Sequence, residues 1–232
     1  LKASTSQLLI SCEHGGNRIP AAYRQLFAVN TAVLETHRGF DIGALDIARA
    51  ISKSLKAPLH SAQTSRLLVD LNRSLHHRRL YSEFTRDCDE QTQEQILEKY
   101  YRPYRQTLEQ QVRKMIAASG SVIHISVHSF TAVLDGQERN ADIGLLYDPA
   151  RQREKAFCAR LKSALDQSTI GVTRLNYPYR GNADGMTTHL RRSLPARSYI
   201  GIEIEINQSR AVVDKKLLSK VLTRSLQKTI EQ

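Results

Sequence analysis

Short apolar runs alternate along this chain with longer stretches whose apolar residues recur every three to four positions. Residues 7–12 (QLLISC) and 121–127 (SVIHISV) read as buried strands. By contrast, Ile42, Leu45, Ala48, Ile51 and Leu55 share one helical stripe within 41–56. Further strands are expected at 58–63, 143–147, 170–175 and 199–206. Helices are expected at about 89–118, 150–167 and 213–230, with a loop and short helix over 176–194. Strands alternating with helices predict an α/β fold: a mixed, mostly parallel sheet with helices on both faces. No repeat, linker or low-complexity tract divides residues 1–232, so they are read as one domain, long enough to bury a core without staples.

Local punctuation supports these bounds. Asp41 stands where a helix N-cap is expected, and Ala57-Pro58 stops the helix that follows. Pro103 is expected to kink or split the long 89–118 helix near Arg102, and Ser119-Gly120 to end it. After His14, Gly15-Gly16 lets the backbone turn sharply and approach a ligand.

The formal charge of +11 points to anionic partners. Its arginines are scattered through the chain, and no zinc-finger, RNP-type or Walker signature accompanies them. Nucleic acid is therefore not the expected partner; a small anionic substrate is. Cys12, Cys88 and Cys158 are odd in number and far apart, which suits a reducing compartment rather than a disulfide framework. The opening LKASTSQLLI is short and weakly apolar for a leader, and no run approaches the ~18 residues of a membrane span. A cytoplasmic, membrane-free protein is expected.

Two histidines, His14 and His128, follow apolar strand segments, where α/β sheets gather functional groups. Imidazoles so placed suit zinc and related cations. His124 shares a face with His128 by alternation and is read as a hydrogen-bonded core group. A catalytic metal needs a third protein donor; Glu13, Glu35, His37 and Asp41 are the candidates, with Asp41 leading. In SRLLVDLNR, Arg66, Asn72 and Arg73 offer forked donors for a carboxylate, and Asp70 is placed to hold a guanidinium. Glu203 and Glu205 share one face of a strand whose other face is isoleucine, and either suits a general base. Tyr179 and Arg180, in NYPYRG, are placed to close over a substrate and stabilise an oxyanion.

These pieces, in this order, resemble the N-formylglutamate amidohydrolase family. The resemblance rests on EHGGNRIP at 13–20, GFDIGA at 39–44, SRLLVDLNR at 65–73, YYRPYR at 100–105, SVHSF at 126–130, NYPYRG at 176–181 and IEIEINQ at 202–208. It implies a zinc carboxypeptidase-like fold and one divalent metal, zinc by analogy, on His14, Asp41 and His128. It also implies that Asn72 and Arg73 grip a substrate carboxylate with Arg66 nearby, and that a late-strand glutamate is the base. Glu205 is preferred and Glu203 second. The wider group's His-x-x-Glu motif is not kept, since position 17 is Asn. The implied activity is hydrolysis of the amide of a small N-acyl acidic amino acid by a metal-activated water. Alternatives are another N-acyl amino acid, a cell-wall peptide, or a basic polyanion-binding protein without catalysis.

Overall fold

In a computed structural model, residues 7–168 and 170–231 are described. Six strands form one sheet in the order β2 (Leu59–Ser61), β1 (Gln7–Cys12), β3 (Val122–Phe130), β8 (Tyr199–Asn207), β6 (Ile143–Leu146), β7 (Thr173–Leu175). The first four are mutually parallel. β6 runs antiparallel to β8 and carries β7 parallel to itself. The expected mixed, mostly parallel α/β sheet is thus present. The leading residues 1–6 of the LKASTSQLLI segment lie outside the described residues. Among those described, no helix is long and apolar enough to cross a membrane.

Alternation sorts the central strands into two unlike faces. Ile10 and Cys12 of β1, Ile123, Ile125 and Val127 of β3, and Ile200, Ile202, Ile204 and Ile206 of β8 belong to one core. Helices α1 (Ala44–Leu55), α4 (Gln152–Asp166) and α7 (Lys215–Ile230) supply its other half. Each isoleucine buried there removes apolar surface worth roughly 1.5–3 kcal/mol from water. The opposite face begins apolar, with Leu9, Val122 and Tyr199 packed under α3 (Arg102–Ser119). Towards the strands' carboxyl ends it turns polar: Ser11 on β1, His124, Ser126 and His128 on β3, Glu203 and Glu205 on β8. All are buried.

Several expected bounds shift. Asp41 does not cap α1: Gly43, in the left-handed region, is the N-cap, and Asp41 lies ahead of the helix. β3 runs on to Phe130, so His128 lies inside a strand rather than beyond its end. The long helix is interrupted as Pro103 required, by a π turn at Leu97–Tyr101 between α2 (Glu90–Ile96) and α3. The expected last helix is α7, and a short helix that was not expected, α6 (Gln208–Val213), precedes it. Two 3₁₀ segments, Ala21–Phe27 and Thr31–Glu35, and a hairpin of β4 (Val133–Leu134) and β5 (Gln137–Glu138) were not expected.

Gly15 and Gly16 also make a close backbone contact. A Cβ on Gly15 would sit 2.9 Å from the Ala62 carbonyl oxygen, and one on Gly16 2.6 Å from that of Gln63. The glycines let the chain after His14 press against the backbone following β2, where Arg18 N–H donates to Gln63.

Candidate metal centre and active site

The backbone brings the three expected donors together. Asp41 N–H donates to the His14 carbonyl at 2.9 Å, tying the segment before α1 to the end of β1. Ser129, next to His128, donates its hydroxyl to the Ile42 carbonyl at 2.9 Å, tying the same segment to β3. His14, Asp41 and His128 are buried, and one ligand atom from each lies within 4.8 Å of the others. Asp41 Oδ2 stands 2.8 Å from His128 Nδ1 and 3.4 Å from His14 Nδ1. Of the other candidate third donors, Glu35 is exposed and accepts from Asn17, while His37 is exposed. Glu13 is turned to the far side of His128.

The outward nitrogens of both imidazoles are occupied by carboxylates. His14 Nε2 lies 2.7 Å from Asp70 Oδ1, and His128 Nε2 lies 3.2 Å from Glu13 Oε2. In the tautomer that binds a cation, with the ring proton on Nε2 in each case, both Nδ1 atoms would present lone pairs beside Asp41 Oδ2; His128 Nδ1 lies within hydrogen-bond reach of it at 2.8 Å. His14 Nδ1 is buried and makes no hydrogen bond. Two imidazole lone pairs and a carboxylate oxygen converging in a buried space are mutually repulsive unless a proton or cation lies between them. Two His nitrogens, one carboxylate and a neighbouring open cleft match the donor set of catalytic zinc sites, and the Nε2 carboxylates match the pattern that orients metal-binding histidines. The residues fit a divalent cation.

Burial alone would depress the His128 imidazole, but its hydrogen bonds to Asp41 and Glu13 outweigh that and raise its pKa well above the usual range. Burial would raise Asp41; His14 and His128 overcome it and hold the carboxyl far below its usual value. Glu205 behaves oppositely. Burial pushes it to about 7; His128 opposes this, and Asp41 and Glu203 reinforce it. Its Oε2 is buried without a hydrogen-bond partner. Glu203 is engaged instead, accepting from the Thr187 hydroxyl at 2.5 Å.

These groups open into a cleft of about 330 Å³. Every residue expected at the site lines it: His14, Asp41 and His128; Glu203 and Glu205; Arg66, Asn72, Arg73, Tyr179 and Arg180. Arg66 bridges Asp41 Oδ1 at 3.3 Å and Asp70 Oδ2 at 2.8 Å, so Asp70 holds a guanidinium as expected. Asn72 Oδ1 accepts from Met186 N–H at the start of α5 (Met186–Ser193), and Arg73 donates to the Asp184 carbonyl at 3.0 Å. The 65–74 segment is thereby locked to the 176–185 loop. His189, on α5, pairs with Glu109 rather than facing the cleft. Tyr179 and Arg180 are exposed on the rim.

Some contributors escaped the sequence reading. Arg79 and Ser129 line the cleft, and Leu134 reaches it from the unexpected hairpin. Asp70 was read as a partner for arginine, not for His14. The overlooked signal was for Glu13: period-2 alternation with Leu9 and Ser11 places it on the polar face shared with His128.

The model of the N-formylglutamate amidohydrolase family matches residues 6–211. The chain belongs to that family. As a member it is an amide-hydrolysing enzyme, an amidohydrolase. No curated protein matches it significantly in sequence. Among solved structures it is similar to a gene product of Agrobacterium tumefaciens, at 26% identity and a TM-score of 0.78, over 99% of this chain and 94% of that one. It shares its fold with an N-formylglutamate amidohydrolase from Ralstonia eutropha, at 17% identity and a TM-score of 0.67, over 98% and 94% of the two chains.

Proposed function

We propose that this family member is a metal-dependent amidohydrolase acting on a small N-acyl amino acid, of the N-formyl acidic type, with His14, Asp41 and His128 as the metal ligands. The observation that carries the reading is the buried, unpartnered Nδ1 of His14, facing Asp41 Oδ2 beside His128 Nδ1. A divalent cation held there, zinc by its donor set, would supply Lewis acidity to the amide carbonyl and to the attacking water.

The protein's own groups do the rest. Glu205, with a free oxygen and a pKa near neutrality, takes the proton from the attacking water and returns it to the leaving amine. Glu203, held by the Thr187 hydroxyl, is the second candidate for the base. Asn72 and Arg73 hold the substrate carboxylate, with Arg66 beside them. Arg180 stabilises the oxyanion that develops on the amide, and Tyr179 closes the rim. A cleft of about 330 Å³ is at the small end of ligand pockets and suits an amino-acid derivative rather than a polymer. The free thiols of Cys12, Cys88 and Cys158 support a reducing, cytoplasmic setting.

The test is metal analysis of the purified protein followed by a turnover screen of N-formyl, N-acetyl and longer N-acyl amino acids. Stoichiometric metal with turnover of an N-formyl acidic amino acid is expected. Turnover of another N-acyl acid alone would keep the mechanism and change the substrate. Full activity after complete metal removal would reject the reading.

A further inference from the structure

Glu13 is 0% exposed, directly behind His128. Its Oε2 accepts from the Ser126 hydroxyl at 2.6 Å and lies 3.2 Å from His128 Nε2, and its Oε1 accepts from Tyr104 at 3.1 Å. Among the described residues no lysine or arginine pairs with it. The contrast with Asp70 is sharp. That carboxylate, behind His14, has Arg66 at 2.8 Å and Arg73 at 4.0 Å. A buried carboxylate without a cationic partner is strongly unfavourable, and hydroxyl donors offset only part of the cost. Positive charge reaches Glu13 chiefly through the His128 ring, with the His124 imidazole also nearby.

The fold holds this arrangement from three sides. Ser11 and Ser126 are register partners across β1 and β3, so Glu13 and His128, two residues further on, are neighbours on the polar face. Tyr104 comes from the first turn of α3, just after the π turn, and reaches the sheet beside His60. Ser126 touches both partners, since its hydroxyl also lies 2.9 Å from His128 Nε2.

From this geometry we infer that Glu13 is a positioning residue of the metal centre: it fixes His128 with Nδ1 turned to the cation and supplies a buried negative charge that the cation neutralises through the ring. The inference rests on the metal reading above and extends it to a residue outside the ligand set. The cation therefore matters more to His128's side of the site than to His14's, where Arg66 already balances Asp70.

The test uses the full chain with Glu13→Gln, which keeps the shape and removes the charge. Zinc affinity is measured by competition with a chromophoric chelator, and the visible band is recorded after cobalt loading. Zinc affinity is expected to fall ~10–100-fold, the usual cost of losing such a partner, with a shifted cobalt band. The rise in Tm on zinc addition is expected to be smaller in the variant than in wild type. Glu13→Asp is expected to recover part of the affinity. Unchanged zinc affinity and cobalt band in Glu13→Gln would overturn the inference, as would a lower metal-free Tm with affinity intact. Should Glu13→Gln not fold, Tyr104→Phe frees one oxygen of Glu13, and a severalfold affinity loss there is expected; none would be a refutation. Wild-type protein that takes up neither zinc nor cobalt would reject the metal reading itself, and this inference with it.

Discussion

His128 and Glu205 are register partners on the adjacent parallel strands β3 and β8, both facing the cleft. The sheet therefore sets the spacing between a proposed ligand and the proposed base, independently of any loop. It also explains Glu205's environment: the carboxyl is buried by the strand on either side, close to Asp41 and Glu203, and its pKa rises to about 7.

For Glu205 the sign follows from its role. A base works as the carboxylate, so kcat/KM is expected to rise with pH through the pKa of this group, with a bound cation moving the midpoint below the metal-free value. Glu205→Gln should lower kcat by roughly 10²–10⁴-fold and leave zinc affinity near wild type. In the metal-free protein the folded pKa lies above the ordinary 4.5. The folded state then binds more protons than the unfolded state between those values, and this group's contribution to stability is lost as pH rises through about 7. Denaturant melts of wild type and Glu205→Gln at pH 5 and pH 8 check this: the variant should gain relative stability at pH 8.

Metal removal gives the second expectation. Dialysis against a strong chelator should abolish turnover and zinc should restore it, while far-UV circular dichroism stays unchanged because the isoleucine core lies on the sheet's other face. His128→Ala should lose metal and turnover together, read by metal analysis and a single-turnover assay. Retained metal and activity would remove His128 from the site.

Arg73 is expected to act on binding. Arg73→Ala should raise KM about 10–100-fold for a carboxylate-bearing substrate, in keeping with ~1.5–3 kcal/mol for a charged hydrogen bond. For the corresponding carboxamide the increase should be much smaller. Equal losses on both substrates would assign Arg73 to holding the 184 loop through the Asp184 carbonyl alone.

His124 carries an acid-stability expectation. Buried between Tyr199 and Ser11, its imidazole is lowered to about 4, chiefly by burial. The unfolded state then binds more protons between about 4 and 6.5, so stability present at neutral pH is lost as pH falls across that window. His124→Gln should flatten the stability–pH curve between pH 4 and 6.5, measured by urea melts against wild type.

Arg191 and Glu154 form a buried pair at 3.0 Å, and Arg191 also donates to the Gly181 and Gly201 carbonyls. Arg191→Ala should cost about 3–5 kcal/mol, because Glu154 is left buried and unpaired. The double variant Arg191→Met with Glu154→Leu, which replaces both charges by apolar side chains, should recover much of that in a denaturant titration.

The sequence made one level of this structure readable and left another hidden. Isoleucines alternating with Glu203 and Glu205 announce which way each side chain faces, and the strand segments before His14 and His128 announce where a site gathers. What alternation does not encode is the identity of the neighbour across the gap. Asp70 behind His14 depends on how loop 65–74 docks, which is a tertiary outcome. The direction of β6 was hidden for a different reason. Only residues 131–142 separate it from β3, with a hairpin and no helix among them. A parallel crossover would usually carry a helix there, and the lack of a helical pattern in that segment was the available clue.

The two-faced sheet has a consequence for how this enzyme could diverge. β8 presents carboxylates on one side and isoleucines on the other, so the proposed catalytic carboxylates and the residues that clasp α1, α4 and α7 are interleaved in sequence yet physically insulated. Substrate preference can drift through the arginine-lined rim and the 176–185 loop while the opposite side keeps the chain folded. Change in one layer leaves the other undisturbed.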